Sequence, residues 1–275
     1  MDMKAELKQN DFKFKQKFGQ NFISDKNLLS AIVKDAKIKK DDPVLEIGPG
    51  AGTLTKEILS ASNGKVVAIE IDKDLKDVLQ KNLSKFPHFE LILGDILKIS
   101  PNELKEKFDG KPFKVVANLP YYISTPILFY LLENEFNILS ITVMLQLELA
   151  KRLTAQKNTK DYGALTILLD YLGEVSLTRK VPRTLFTPQP NVDSAIVHID
   201  LQKKKFDVDY NKIAPFVKKS FAMRRKTLAN NLISAFNFSR EQVEKCFLEC
   251  GFQKNCRAED LTSKDFITLY KALFN

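Results

Sequence analysis

At 275 residues, with 44% hydrophobic side chains and 20 phenylalanines, the chain has material for one large domain or two unequal ones. No apolar run approaches the ~18 residues of a transmembrane helix, and Met1 to Glu6 offer no apolar segment or cleavage site, so neither a membrane span nor a signal peptide is expected and the location is cytoplasmic. The formal charge of +9 gathers at Lys13, Lys15 and Lys17, at Lys203, Lys204 and Lys205, at Lys218 and Lys219, and at Arg224, Arg225 and Lys226, which favours a polyanionic partner.

Residues 12–25 are basic and aromatic and end in Phe18-Gly19-Gln20-Asn21-Phe22-Ile23-Ser24-Asp25. Ser24 or Asp25 is suited to N-cap a helix over 27–37, with Leu28, Leu29, Ile32 and Val33 on one face. Strands at 43–47, 65–71, 90–93, 113–117 and 139–145 then alternate with helices at 53–60, 73–84, 102–107, 125–133 and 148–155. This alternation, with near-continuous Val, Ile and Leu in the strands, predicts an α/β fold: a mostly parallel sheet covered on both faces, with ligands beyond the carboxyl ends of its strands. After residue 160 the pattern changes. Strands at 164–169 and 194–201, separated by a loop with Pro182, Pro188 and Pro190, predict an antiparallel end to the sheet. Gln202-Lys203-Lys204-Lys205 reads as a linker, and 207–275 read as helices at 212–222, 227–236, 241–250 and 263–273. Ser239 with Gln242 forms a capping-box pattern, and Gly251 stands where a helix-ending glycine belongs. The expected domains are therefore 1–205 and a small helical one at 206–275. Cys246, Cys250 and Cys256 fit neither a disulfide framework nor a zinc template, with His88 and His198 remote in sequence, so no metal is expected.

Four motifs fall at or near strand ends. The first strand runs into Glu46-Ile47-Gly48-Pro49-Gly50-Ala51-Gly52-Thr53, where glycines allow close approach of a ligand. A dinucleotide fingerprint would place its third glycine where Thr53 stands, and a P-loop would need Gly-Lys-Ser/Thr. Glu70 ends the second strand, suited to accept two ribose hydroxyls, and Asp95 follows the third, suited to an adenine amine; a helix cap or a solvated loop is the plainer role for either. Asn118-Leu119-Pro120-Tyr121 follows the fourth strand: an amide and a carbonyl to accept from an NH₂ group, and a ring to lie on a flat base, or else a proline turn with core tyrosines. Phe186-Thr187-Pro188-Gln189-Pro190-Asn191-Val192-Asp193-Ser194 is a proline-stiffened loop able to hold Phe186 as a second stacking face, or to pack it in the core.

Together these segments resemble known enzymes. Glu-x-Gly-x-Gly resembles the S-adenosylmethionine loop of class I methyltransferases, and Asn-Leu-Pro-Tyr resembles the tetrapeptide of those that methylate exocyclic amines. With Gly19-Gln20-Asn21-Phe22, Tyr122-Ile123-Ser124-Thr125-Pro126 and Arg224-Arg225-Lys226-Thr227-Leu228, the chain resembles the rRNA adenine dimethyltransferases, in particular those of the bacterial small subunit, over residues 18–232. The resemblance implies a Rossmann-like class I methyltransferase domain followed by an RNA-binding helical domain. It implies S-adenosylmethionine as methyl donor, bound by Asn21, Ile23, Gly48, Glu70, Asp95 and Asn118. It implies a target amine oriented by Asn118 and the Leu119 carbonyl and a base stacked by Tyr121 and Phe186. The implied substrate is two adjacent adenosines near the 3′ end of 16S rRNA in the immature small ribosomal subunit, met by a monomer. Lys203, Lys204, Lys205, Arg224, Arg225 and Lys226 are the expected phosphate contacts. Erythromycin-resistance-type methylation of 23S rRNA, an assembly factor with incidental catalysis, and a DNA adenine methyltransferase stand as alternatives.

Overall fold

The computed structural model describes residues 19–203, 206 and 209–274. The chain forms two compact units. One holds the residues up to Ala150 together with Ser176–Gln202, and the other holds Lys151–Val175 and the chain from Lys203 on.

The strands are β1 (Phe22–Ile23), β2 (Val44–Ile47), β3 (Val66–Glu70), β4 (Phe89–Leu93), β5 (Phe113–Asn118), β6 (Ile138–Gln146), β7 (Glu174–Val181), β8 (Phe186–Thr187) and β9 (Ser194–Asp200). Seven of them form one sheet in the order β4-β3-β2-β5-β6-β9-β7. β4 to β6 pair in parallel, and β9 runs antiparallel to β6, from Ser140↔Asp200 to Gln146↔Ser194. The expected mostly parallel sheet with an antiparallel end is the one found. Every residue of β2 and β3 is buried, as continuous apolar strands covered on both faces must be. Each buried Val, Leu or Ile contributes roughly 1.5–3 kcal/mol.

The helices of this unit are α1 (Lys26–Asp35), α2 (Thr53–Ala61), α3 (Lys76–Leu83), α4 (Pro101–Lys107) and α5 (Ser124–Glu133), and α6 (Leu147–Leu153) leads out of it. Asp25, not Ser24, caps α1, accepting from the Leu28 N–H at 2.7 Å. β1 and β8 form a separate antiparallel pair with Phe22↔Thr187 and Ile23↔Phe186.

The second unit is helical: α7 (Ala164–Leu172), α8 (Tyr210–Ser220), α9 (Leu228–Phe236), α10 (Arg240–Glu249) and α11 (Ser263–Phe274). Its aromatic core centres on Phe216, whose ring meets Phe236, Phe266, Tyr270 and Phe274. Two expectations need correction here. The strand expected at 164–169 is the first half of α7, bracketed by Gly163 and Gly173 and buried at Thr166, Ile167, Leu168, Leu169 and Tyr171. A short apolar run does not distinguish a buried helix from a buried strand by periodicity. The strand beside β9 is instead β7, whose exposed polar residues mark it as a sheet edge. The division also differs from the single boundary expected near 205, because Lys151–Val175 belong to the helical unit.

Candidate active site

The carboxyl ends of β2, β3 and β5 open into one cleft. It is lined by the 19–23 segment, Glu46, the Gly48-Pro49-Gly50 loop, Thr53 and Leu54 of α2, Glu70, and Asn118 to Tyr121. Gly48 and Gly50 have φ of +70° and +58°, a conformation glycine adopts without penalty. A Cβ on Gly50 would lie 2.6 Å from the Phe22 ring, so this glycine is also what lets the 19–23 segment lie down on the loop.

That segment is tied across the cleft at several points. Gln20 Nε2 donates to Asp72 Oδ2 at 2.8 Å. Thr53 Oγ1 donates to the Ile23 carbonyl at 2.8 Å. Asn118 Nδ2 donates to the Asn21 carbonyl at 2.9 Å, and Asn21 Nδ2 folds back onto the Gly19 carbonyl at 3.1 Å. The bond to Asn21 fixes which way the Asn118 amide faces: its nitrogen is used, and its oxygen remains an acceptor. Leu119 gives its N–H to the Met144 carbonyl at 3.1 Å, while its own carbonyl has no partner among the described residues. Two residues adjacent in the chain, both lining the cleft, thus each keep an acceptor free, which suits an incoming NH₂ group. Tyr121 lines the same cleft with its hydroxyl 2.5 Å from Ser194 Oγ. Burial, with the Asp193 charge adding, raises its pKa, so the ring is a neutral phenol.

Glu70 accepts from the Asp72 N–H at 2.8 Å and the Gly50 N–H at 3.0 Å, tying β3 to the glycine loop. Burial raises its pKa, against the pull of those two N–H groups. Glu46 lies beside it and was not among the residues the sequence singled out for binding. It is 1% exposed, and neither of its oxygens has a hydrogen-bond partner among the described residues. Burial pushes its pKa up to about 8; Thr55 on α2, close by but outside hydrogen-bond geometry, opposes the shift, and the Glu70 charge adds to it. The one signal in the sequence was a carboxylate inside the apolar run Val44-Leu45-Glu46-Ile47.

Two expected residues lie elsewhere. Asp95 caps the turn Ile96–Lys98, accepting from the Leu97 N–H at 3.0 Å, and is not among the cleft residues. Phe186 is 4% exposed, packed with Phe22, Ile23, Val181 and Ile196. Pairing of β8 with β1 turns its ring into the core, so it presents no stacking face. Tyr122 is 56% exposed and lies against Gly19, where a Cβ would come within 3.2 Å of its ring.

The basic residues expected to meet phosphate divide in the same way. Lys204 and Lys205 fall outside the described residues, as does the Lys203 side chain. Arg224, Arg225 and Lys226 lie on an exposed turn of the helical unit. Arg224 Nη2 donates to the Lys160 carbonyl at 2.7 Å, so it also fastens its own unit. The three cysteines are free and half-buried, and no metal-binding cluster occurs among the described residues. No helix of the described residues is long and apolar enough to cross a membrane.

A glycine loop under a pair of buried carboxylates, next to an oriented asparagine, is the frame of an amine methyltransferase. The family model described as ribosomal RNA adenine dimethylase matches residues 11–274. The chain belongs to that family. The ribosomal RNA small subunit methyltransferase A of Clostridium botulinum (strain Kyoto / Type A2) is 42% identical over 277 residues, covering 100% of this chain and 99% of the relative. That of Lactococcus lactis subsp. lactis (strain IL1403) is 42% identical over 273 residues, 97% of this chain and 92% of the relative. Among solved structures, a dimethyladenosine transferase from Plasmodium falciparum aligns with a TM-score of 0.74 at 26% identity, over 90% of this chain and 95% of that one. The 23S rRNA methyltransferase ErmE aligns with a TM-score of 0.71 at 29% identity, over 93% and 100%. This dimethylase is a methyltransferase that uses S-adenosylmethionine on adenine of ribosomal RNA. Its cleft fits that cofactor: among the described residues the lining holds two carboxylates and no Lys, Arg or His, which suits a ligand carrying positive charge.

Proposed function

We propose that the chain transfers two methyl groups to the exocyclic amine of each of two adjacent adenosines near the 3′ end of 16S rRNA, in the immature small subunit, as a cytoplasmic monomer without a metal. What supports this reading is the Asn118 amide at the cleft, whose nitrogen donates to the Asn21 carbonyl and whose oxygen is left as an acceptor, next in the chain to the free Leu119 carbonyl.

S-adenosylmethionine, when bound, supplies an already activated methyl group, so the residues mainly align. Gly48, Glu70, Asn21, Ile23 and Asn118 hold the cofactor, with Asp95 joining them if its side chain leaves the Leu97 cap. Asn118 Oδ1 and the Leu119 carbonyl accept the two amine protons. This draws the nitrogen lone pair out of conjugation and aims it along the transfer line; bringing the reacting atoms to about 3–3.5 Å is the near-attack condition. Tyr121 stacks the base, a contact worth about 1–3 kcal/mol. Phe186 supports β1 from below, and becomes a second stacking face only if β8 opens. No titratable side chain faces the amine as a base, so its proton leaves to water after transfer. Arg225, Lys226 and Arg224, with Lys203, Lys204 and Lys205, contact phosphates.

The likeness to ErmE over the whole length of that chain favours one second reading, methylation of 23S rRNA. Purified protein supplied with labelled S-adenosylmethionine and either immature small or immature large particles separates the two. Dimethyladenosine in the small particle, located by mass spectrometry, is the expected result. Label confined to the large particle overturns the reading.

A further inference from the structure

Glu46 takes no part in gripping the amine, and the carboxylate that accepts from the glycine loop is that of Glu70. Yet Glu46 lines the cleft from the middle of the sheet, with both oxygens lacking a partner and with Thr55 Oγ1 beside it equally unpartnered. An ionised carboxylate in such a place is strongly disfavoured unless a charge compensates it.

Among the described residues nothing compensates it. From β3 it faces Glu70, with Asp72 behind. From α2 it meets only the Thr55 hydroxyl. The glycine loop and the Asn118 segment bring no charge, Tyr121 is a neutral phenol, and no Lys, Arg or His among the described residues lines the cleft. Glu46 is accordingly a neutral acid by itself in this cleft, with its pKa pushed up to about 8. S-adenosylmethionine carries two positive groups, a sulfonium and an α-ammonium, against one carboxylate.

We propose that Glu46 is a proton-releasing counter-ion for the cofactor: it is protonated while the cleft is empty and gives its proton to solvent as the cationic part of the cofactor enters. The proposal rests on the reading of the cleft as the S-adenosylmethionine site. One O–H bond of Glu46 breaks, the proton goes to water, and no bond to the cofactor forms. The cation then meets a fixed negative charge, and near neutral pH the affinity for the cofactor rises with pH.

Calorimetric titration in two buffers of different ionisation enthalpy counts the protons exchanged. The ligands are S-adenosylmethionine, S-adenosylhomocysteine, which lacks the sulfonium charge, and methylthioadenosine, which lacks both cations. In the wild type near neutral pH, S-adenosylmethionine should release a fraction of a proton more than methylthioadenosine, approaching one. Its affinity should climb with pH between about pH 6 and 8, with a limiting slope of about tenfold per unit. Glu46→Gln should remove the extra proton and flatten the slope; because the ligands' own titrations are common to both proteins, the difference reports Glu46. Release with S-adenosylhomocysteine as large as with S-adenosylmethionine assigns the α-ammonium as the partner, and release with S-adenosylmethionine alone assigns the sulfonium; both support the proposal. Equal release with S-adenosylmethionine and methylthioadenosine in the wild type overturns it, a comparison that needs no variant. Equal release in wild type and Glu46→Gln overturns it as well. Wild type that binds all three ligands but methylates no ribosomal particle refutes the proposed function and leaves the proton count to decide on Glu46.

Discussion

Asn118 does two jobs with one amide. Its nitrogen holds the Asn21 carbonyl, and its oxygen is the acceptor proposed for the amine. Asn118→Ala should lower methyl incorporation at least about 100-fold by losing that alignment, with circular dichroism unchanged. Activity near the wild-type level would remove Asn118 from the reaction. Glu46 gives a stability prediction whose sign follows from its titration. The folded pKa of about 8 stands above the ordinary 4.5. Between those values the unfolded chain has released a proton that the native protein keeps, so stability falls as pH rises from about 4.5 to 8. Glu46→Gln removes this loss. Relative to the wild type, the variant's melting temperature should improve steadily from pH 5 to pH 8 without cofactor, and a difference constant with pH would refute the assignment. At this scale the sequence was a good guide where a residue's surroundings are its neighbours in the chain, as in the placement of Gly48 and Asn118 at strand ends. It was a poor one at Phe186, because which way that ring turns depends on β8 meeting β1, more than 150 residues earlier.

The segment at 19–23 and the glycine loop work as one element. Gly50 has positive φ and no room for a Cβ beneath the Phe22 ring. Gly50→Ala should therefore lift the segment, weaken cofactor binding at least tenfold in a calorimetric titration and lower the melting temperature; unchanged binding would show that the two are independent. Phe22→Ala, which leaves the loop intact and removes the covering ring, should cost about 3–5 kcal/mol in denaturant unfolding, the usual range for a buried phenylalanine. The parallel strands were legible because each is a short apolar run followed by turn chemistry. Residues 164–172 were not, because an apolar stretch buried on a wide arc carries no periodicity to separate helix from strand.

For the whole molecule, the charge of +9 sets how RNA is met. Replacing Arg225 and Lys226 together by Glu should make the plot of log affinity against log salt shallower by about two ion equivalents. It should leave S-adenosylmethionine binding untouched, as the two residues lie in the helical unit and not in the cofactor cleft. A salt slope equal to the wild type's would exclude them from phosphate contact. Assignment of Lys151–Val175 to the helical unit was hidden from the sequence because the chain leaves the first unit and returns to it for β9. A composition change marks a linker, but a chain that crosses between units three times need not change composition each time.

The sequence by itself determined the parallel sheet, the glycine loop at its carboxyl edge and the asparagine that ends the fourth parallel strand, because each is written in residues adjacent in the chain. Only the tertiary structure decided that Asn21 orients Asn118, that Phe186 is buried, that Asp95 caps a turn and that Glu46 has no partner. Those outcomes depend on which strands and segments meet, and burial and hydrogen-bond pairing are properties of the assembled chain.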